Sequence, residues 1–146
     1  MIATVRVGVG LVTLVLALLA GCSTEYTEGT SAPPVRPAQS LDAARTKLQL
    51  VVQDPCYTAR DIAGQWPYCG RWEEEVLNTA NAAAGARPEL REVTDPAGAV
   101  RAGHEHFVRG GCASGIPPAG PGDCVAAIVE TREAVTSLGR GIAAAR

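Results

Sequence analysis

Apolar residues in the stretch 40–146 recur mainly at steps of three and four, and no run alternates between apolar and polar positions as a strand would. Four segments carry this helical spacing, so the sequence predicts an all-α domain. The connections between the segments are short. Short connections favour antiparallel neighbours, and we therefore expect a small four-helix up-down bundle.

The first predicted helix begins after Ser40, a residue type that often caps helices, and ends at Asp54-Pro55. The second follows Cys69 and stops at Gly85. Its acidic run Glu73–Glu75 suits the positive end of the helix dipole and predicts a solvated face. The apolar positions are Leu41, Ala44, Leu48 and Val51 in the first helix, and Trp72, Val76, Ala80 and Ala83 in the second.

The third predicted helix follows a connection over residues 86–94. Thr94-Asp95-Pro96 predicts its start, because it offers a cap and places proline in the first turn. Gly98 and Gly103 weaken the prediction, since glycine is a poor helix former, and Gly110-Gly111 predicts the end. The positions expected to pack inward are Leu90 and Val93 in the connection, and Ala97, Val100, His104, Phe107 and Val108 in the helix.

The fourth predicted helix has the clearest stripe and takes Asp123 as its N-cap. Its charged residues lie mostly away from that stripe. The apolar positions are Val125, Ile128, Val129, Val135, Leu138 and Ile142.

Residues 1–21 have the organisation of an export signal, with a positive charge at Arg6 and an apolar stretch from Val7 to Ala20. As a helix this stretch spans about 21 Å, short of the roughly 30 Å that a transmembrane helix must cross. It ends in Leu19-Ala20-Gly21-Cys22, which resembles the lipobox of bacterial lipoproteins. The alternative is an ordinary secretory signal with a cysteine at this place by chance.

The lipoprotein resemblance implies cleavage before Cys22 and attachment of diacylglyceryl, with chains such as palmitate, to its sulfur. Such an anchor would hold the mature protein on the extracytoplasmic face of the cell membrane. Residues 22–39 contain three prolines and several hydroxyl side chains, and predict a disordered tether with or without O-glycans. Residues 40–146 then form the helical domain.

Four of the five cysteines remain once Cys22 is assigned to lipid, and an even set in an exported protein indicates disulfides. Sequential pairing joins Cys56 to Cys69 and Cys112 to Cys124, each pair bracketing one connection. A bridge between the two halves of the domain is the alternative.

Composition and charge exclude several functions. The chain is 47% hydrophobic but only 4% aromatic, and its net charge of −2 offers no basic surface, so nucleic acid is not an expected partner. The abundance of alanine and arginine resembles actinobacterial proteins. No cofactor motif is present in the sequence.

The sequence offers little for catalysis or metal binding. In His104-Glu105-His106 the histidines are two positions apart, about 200° around a helix, so they cannot chelate one metal from one face. We expect a partly buried His104 and a solvated His106. The segment Gly111–Gly115 lacks the Gly-x-Ser-x-Gly spacing of a nucleophile elbow. These observations predict a protein that is not an enzyme.

Four of the six aromatic residues fall between Tyr57 and Trp72. They either plug one end of an alanine-rich core or form a contact surface. Trp66 lies in a connection, so we expect it to be more exposed than Trp72, and Tyr57, Trp66 and Tyr68 are the candidate binding residues. The predicted function is a non-catalytic binding or structural component of the cell envelope, with an envelope protein as partner. The alternative is binding of a small apolar or cell-wall ligand, which a cavity above about 300 Å³ would favour.

Overall fold

The computed structural model describes residues 40–117 and 120–145. The predicted signal, Cys22 and the tether lie outside the described residues. Every regular element in the described part is a helix, which confirms the all-α prediction, and none of these helices is long and apolar enough to cross a membrane. The α-helices are α1 (Leu41–Val51), α2 (Pro55–Thr58), α3 (Ile62–Gln65), α4 (Gly70–Ala86), α5 (Arg91–Arg109) and α6 (Pro121–Ala144), with short 3-10 turns at Trp66–Tyr68 and Cys112–Ser114.

Helix α1 forms as predicted and packs against α4. The Ser40 hydroxyl accepts a hydrogen bond from the Ala43 amide at 3.1 Å, which caps the first turn. At the other end, the indole Nε1 of Trp72 on α4 donates to the Val51 carbonyl at 3.0 Å. This bond satisfies a carbonyl in the last turn of α1 and fixes α1 against α4.

Helix α5 begins at Arg91, so the predicted start at Thr94-Asp95-Pro96 is wrong. Val93 is fully buried and extends the apolar stripe of Ala97 and Val100 by one turn towards the N-terminus. Its burial stabilises a helix that starts before Thr94. Pro96 therefore lies inside the helix. In an α-helix the carbonyl of Glu92 would accept a hydrogen bond from the backbone amide of residue 96. Proline has no amide hydrogen, so this helical bond is missing.

Two glycines let α5 and α6 approach closely. A β-carbon on Gly103 would overlap the Thr131 hydroxyl, and one on Gly141 would overlap the Glu92 carbonyl oxygen. Gly103 was expected to weaken α5, yet the helix runs through it, because the glycine makes room for α6. The close approach brings Thr131 into the interior between helices.

Helix α6 begins at Pro121, three residues before the start that an N-cap at Asp123 predicts. Gly120 precedes it with φ of +93°, a conformation that favours glycine. Asp123 is therefore not the N-cap. Two of the predicted core positions are also wrong, since Val108 and Val129 are exposed on the outer faces of α5 and α6.

The structure pairs Cys56 with Cys69 and Cys112 with Cys124, each with a Cα–Cα distance of 5.6 Å. Sequential pairing is confirmed, and the alternative bridge between the two halves is wrong. The bonded cysteines are 13 and 12 residues apart. Closing loops of this size stabilises a fold by about 3 kcal/mol each in the chain-entropy model.

Candidate functional site

The segment between α1 and α4 is folded inward. Arg132 on α6 donates from Nε to the Cys56 carbonyl at 2.6 Å and from Nη1 to the Ala59 carbonyl at 3.1 Å. These bonds and the Cys56–Cys69 disulfide hold the segment against the helices. Trp66 is only 6% exposed as a result, slightly more than Trp72 at 3%, so it fills the core, as the plug alternative has it, and offers little contact surface.

The two candidate tyrosines behave differently. Tyr57 is half-buried, its ring centroid lies 6.4 Å from that of Trp72, and its hydroxyl hydrogen-bonds the Thr136 hydroxyl at 2.8 Å. Tyr68 is 76% exposed. They border two different grooves, one on each side of α1. Tyr57 and Tyr68, which are close in the sequence, therefore do not share one surface in the fold.

The groove between α1 and α4 is here named the charged groove. Its volume is about 360 Å³, and it carries two cationic and two acidic side chains. Leu50, 66% exposed, and Tyr68 form its apolar rim. The lining residues are Lys47, Leu50, Val51, Asp54, Tyr68, Arg71, Trp72 and Glu75.

The groove between α1 and α6 is here named the apolar groove. Its volume is about 460 Å³ and most of its wall is apolar. Gly139 leaves space there, because a β-carbon at this position would lie 3.4 Å from Leu48 Cδ2. The lining residues are Arg45, Leu48, Gln49, Val52, Tyr57, Val135, Thr136, Gly139, Arg140, Ile142 and Ala143.

A buried polar cluster joins α4, α5 and α6. The Glu73 carboxylate is fully buried, with Oε2 at 3.3 Å from the Thr131 hydroxyl and 3.7 Å from His104 Nδ1. Glu73 Oε1 and His104 Nδ1 have no hydrogen-bond partner among the described residues. Burial raises the pKa of Glu73 to about 7, and the Thr131 hydrogen bond opposes that rise.

The predicted solvated face over Glu73–Glu75 is therefore wrong at Glu73. Helix α4 packs against α1 on one side and α5 on the other, so its buried face is wider than one stripe. The partial burial expected for His104 is confirmed, with 12% of its side chain exposed. Glu73 has no exposed surface, so a substrate cannot contact it.

His106 joins α5 to α6 and is only partly solvated, with 28% of its side chain exposed. Its Nε2 lies 3.1 Å from Asp123 Oδ1 and its Nδ1 lies 3.0 Å from Glu130 Oε2. The hydrogen bonds to Glu130 and Asp123 raise the pKa of His106. The two carboxylates lie at opposite ring nitrogens, so they cannot share one metal ion with this histidine. Within residues 40–117 and 120–145, no three His, Cys, Asp or Glu side chains form a group suited to a metal.

Comparison with protein-family models, with curated proteins and with solved structures finds no match to this chain. The function must therefore be inferred from the surface itself. Sequence reasoning missed Leu50, Gly139 and Arg140, which help to form the two grooves. Leu50 alone gave a signal, because it is a leucine that lies off the stripe of α1.

Proposed function

We propose that this protein is a lipid-anchored component of the bacterial cell envelope that binds a small apolar ligand in the apolar groove and catalyses no reaction. The proposed location rests on the lipobox-like Leu19-Ala20-Gly21-Cys22. The two disulfides are in keeping with an oxidising compartment outside the cytoplasm. In this proposal the four longer helices form an up-down bundle that acts as a rigid support for the groove.

The apolar groove is the observation that carries the proposed binding. Its volume of about 460 Å³ falls within the range of 300–1,000 Å³ typical of ligand pockets. Apolar side chains with a few polar groups are also the usual lining of such sites. With Trp66 and Trp72 in the core, the aromatic residues give less support to a contact surface than the sequence indicated.

Filling the groove tests ligand binding. A photoreactive analogue of decanol should label peptides of α1 and α6 in the full chain, assayed in its membrane fraction by mass spectrometry. Gly139→Leu should reduce this labelling about tenfold or more, because the new side chain occupies the space beside Leu48. Gly85→Leu is the matched control, since nothing lies within 4 Å of a β-carbon there. Equal labelling of both variants and the parent would contradict the proposed site.

The anchor is tested by Cys22→Ala. The variant should lose its membrane attachment and keep its folded domain, because the tether separates lipid from helices. Membrane fractionation after a high-salt wash, with non-reducing peptide mapping of both disulfides, measures the two properties. A variant that stays on the membrane and is processed like the parent would rule out the lipobox interpretation.

The charged groove favours a second candidate function, docking of an envelope protein. Leu50 and Tyr68 stand exposed beside both signs of charge, and tyrosine is common at protein contacts. Tyr68→Ala alters this surface alone and so separates docking from ligand binding.

A further inference from the structure

The charges around the apolar groove are one-sided. Arg45 and Arg140 are the charged residues among its lining residues, and no carboxylate of the described part of the chain lines it. The charged groove, on the other side of α1, has two residues of each sign. The apolar groove therefore combines an apolar wall with positive charge, which is complementary to a ligand that has an alkyl body and a negative head group.

Arg45 lies at one end of the groove, and Arg140 is an exposed residue on the α6 side, directly after Gly139. Arg45 Nη2 donates to the Ile142 carbonyl at 3.1 Å, which places it beside the last turn of α6. Tyr57 and Thr136, joined by their hydroxyls, lie at the other end. From Arg45 to Val52 the wall of α1 runs for two helical turns, about 10 Å. The groove is thus an elongated space with one cation at an end and a second cation along its α6 side.

Arg140 is the cation with most capacity for a ligand. Its side chain donates to the Ser137 hydroxyl at 3.2 Å, beside the neighbouring groove that Glu92 and Asp95 line, and it forms no salt bridge with any residue of the described part of the chain. Arg45 is already paired with Asp42 and with the Ile142 carbonyl. A guanidinium group offers five donors, so Arg140 keeps donors for a carboxylate.

We propose that the ligand of the apolar groove is an anionic single-chain amphiphile of the fatty-acid type, with its carboxylate at Arg140 and its chain along Leu48, Gly139 and Val135. This inference rests on the proposed function and adds the polarity of the ligand. The chain covers apolar wall that is now open to water, and the head group pairs with an exposed cation on the α6 side of the groove.

Three photoreactive probes with the same decyl chain test the inference: a carboxylate, an alcohol and a trimethylammonium. They are applied to the full chain in its membrane fraction, and labelling of α1 and α6 peptides is quantified by mass spectrometry. The carboxylate should label the groove best, and the ratio of carboxylate to alcohol labelling should fall about three- to fivefold in Arg140→Gln, as expected for a partly exposed ion pair. Arg140→Lys keeps the charge and should retain most of the preference.

The three probes partition differently into lipid, but this difference is the same for every variant. It therefore cancels when the labelling ratio of a variant is divided by that of the parent. Arg109→Gln is the matched control, an exposed arginine on α5 that does not line the groove, and it should leave the ratio unchanged. Labelling that Gly139→Leu blocks but Arg140→Gln does not change would overturn the anionic ligand and leave the proposed function standing. Strongest labelling by the ammonium probe would overturn the anionic ligand as well. Absence of groove labelling by all three probes would overturn both.

Discussion

Gly141→Ala is expected to destabilise the domain by about 4 kcal/mol or more, a large part of the stability of a small domain. The added methyl group would overlap the Glu92 carbonyl oxygen and lie 2.7 Å from its carbon, both of them backbone atoms. No side chain can move to relieve this overlap, so α5 and α6 must separate. Urea unfolding followed by circular dichroism measures the loss.

Gly98→Ala is the matched control for this prediction. It is also a glycine inside a long helix, but nothing lies within 4 Å of a β-carbon there. Alanine should therefore raise the stability by about 0.5–1 kcal/mol through helix propensity. If both variants change stability by similar small amounts, α5 and α6 do not approach as closely at Gly141 as described.

The second large effect concerns pH and Glu73. A carboxyl whose pKa is raised in the folded state is stabilising while protonated, so its contribution is fully present below the unfolded pKa and is lost as pH rises. The Glu73 pKa rises from 4.5 to about 7, so the domain should lose about 3 kcal/mol of unfolding free energy between these two values. Glu73→Gln should remove this slope, because glutamine does not titrate.

Other titrating groups are distinguished by their pH windows. His106, held by Asp123 and Glu130, has a raised pKa and loses its contribution only above pH 6.5. Glu89, beside Arg87, has a lowered pKa, so its contribution is lost as pH falls below about 4.5. His104 and Thr131 face Glu73 directly and are unchanged in the variant. Glu74→Gln, exposed on the same helix, is the control, and an unchanged slope in Glu73→Gln would contradict the assignment.

The sequence predicted the features that depend on local spacing. The apolar stripes located all four longer helices, and the Ser40 cap was confirmed because capping involves only neighbouring residues. The disulfides followed from an even number of cysteines placed on either side of two short connections. These features need no knowledge of which helix lies beside which.

The errors arose where a distant part of the chain decides the outcome. Pro96 indicated a helix start, but burial of Val93 extended the helix past it. Asp123 had the chemistry of a cap, but it faces His106 instead. Trp66 looked free in its connection, but Arg132, 66 residues further along the chain, fastens that segment from α6. Spacing along one segment carries no information about such partners.

The candidate site depended still more on distant contacts. The apolar groove is lined by Gly139 on α6 and Leu48 on α1, a pairing that no local pattern predicts. The burial of Glu73 likewise requires two neighbours for α4. The three adjacent glutamates Glu73–Glu75 look alike in the sequence, and nothing in their spacing indicates that Glu73 is the buried one.

Helix α1 is a wall of both grooves: Lys47 and Leu50 face one, and Arg45 and Leu48 face the other. Two occupants would therefore share an eleven-residue helix, and their binding would be thermodynamically coupled whenever either one shifts it. The coupling would be reciprocal, so the factor by which a ligand in the apolar groove changes affinity for a protein in the charged groove would equal the factor in the opposite direction. Binding of a small molecule in the apolar groove would then change the affinity of the charged groove for a protein partner by shifting α1.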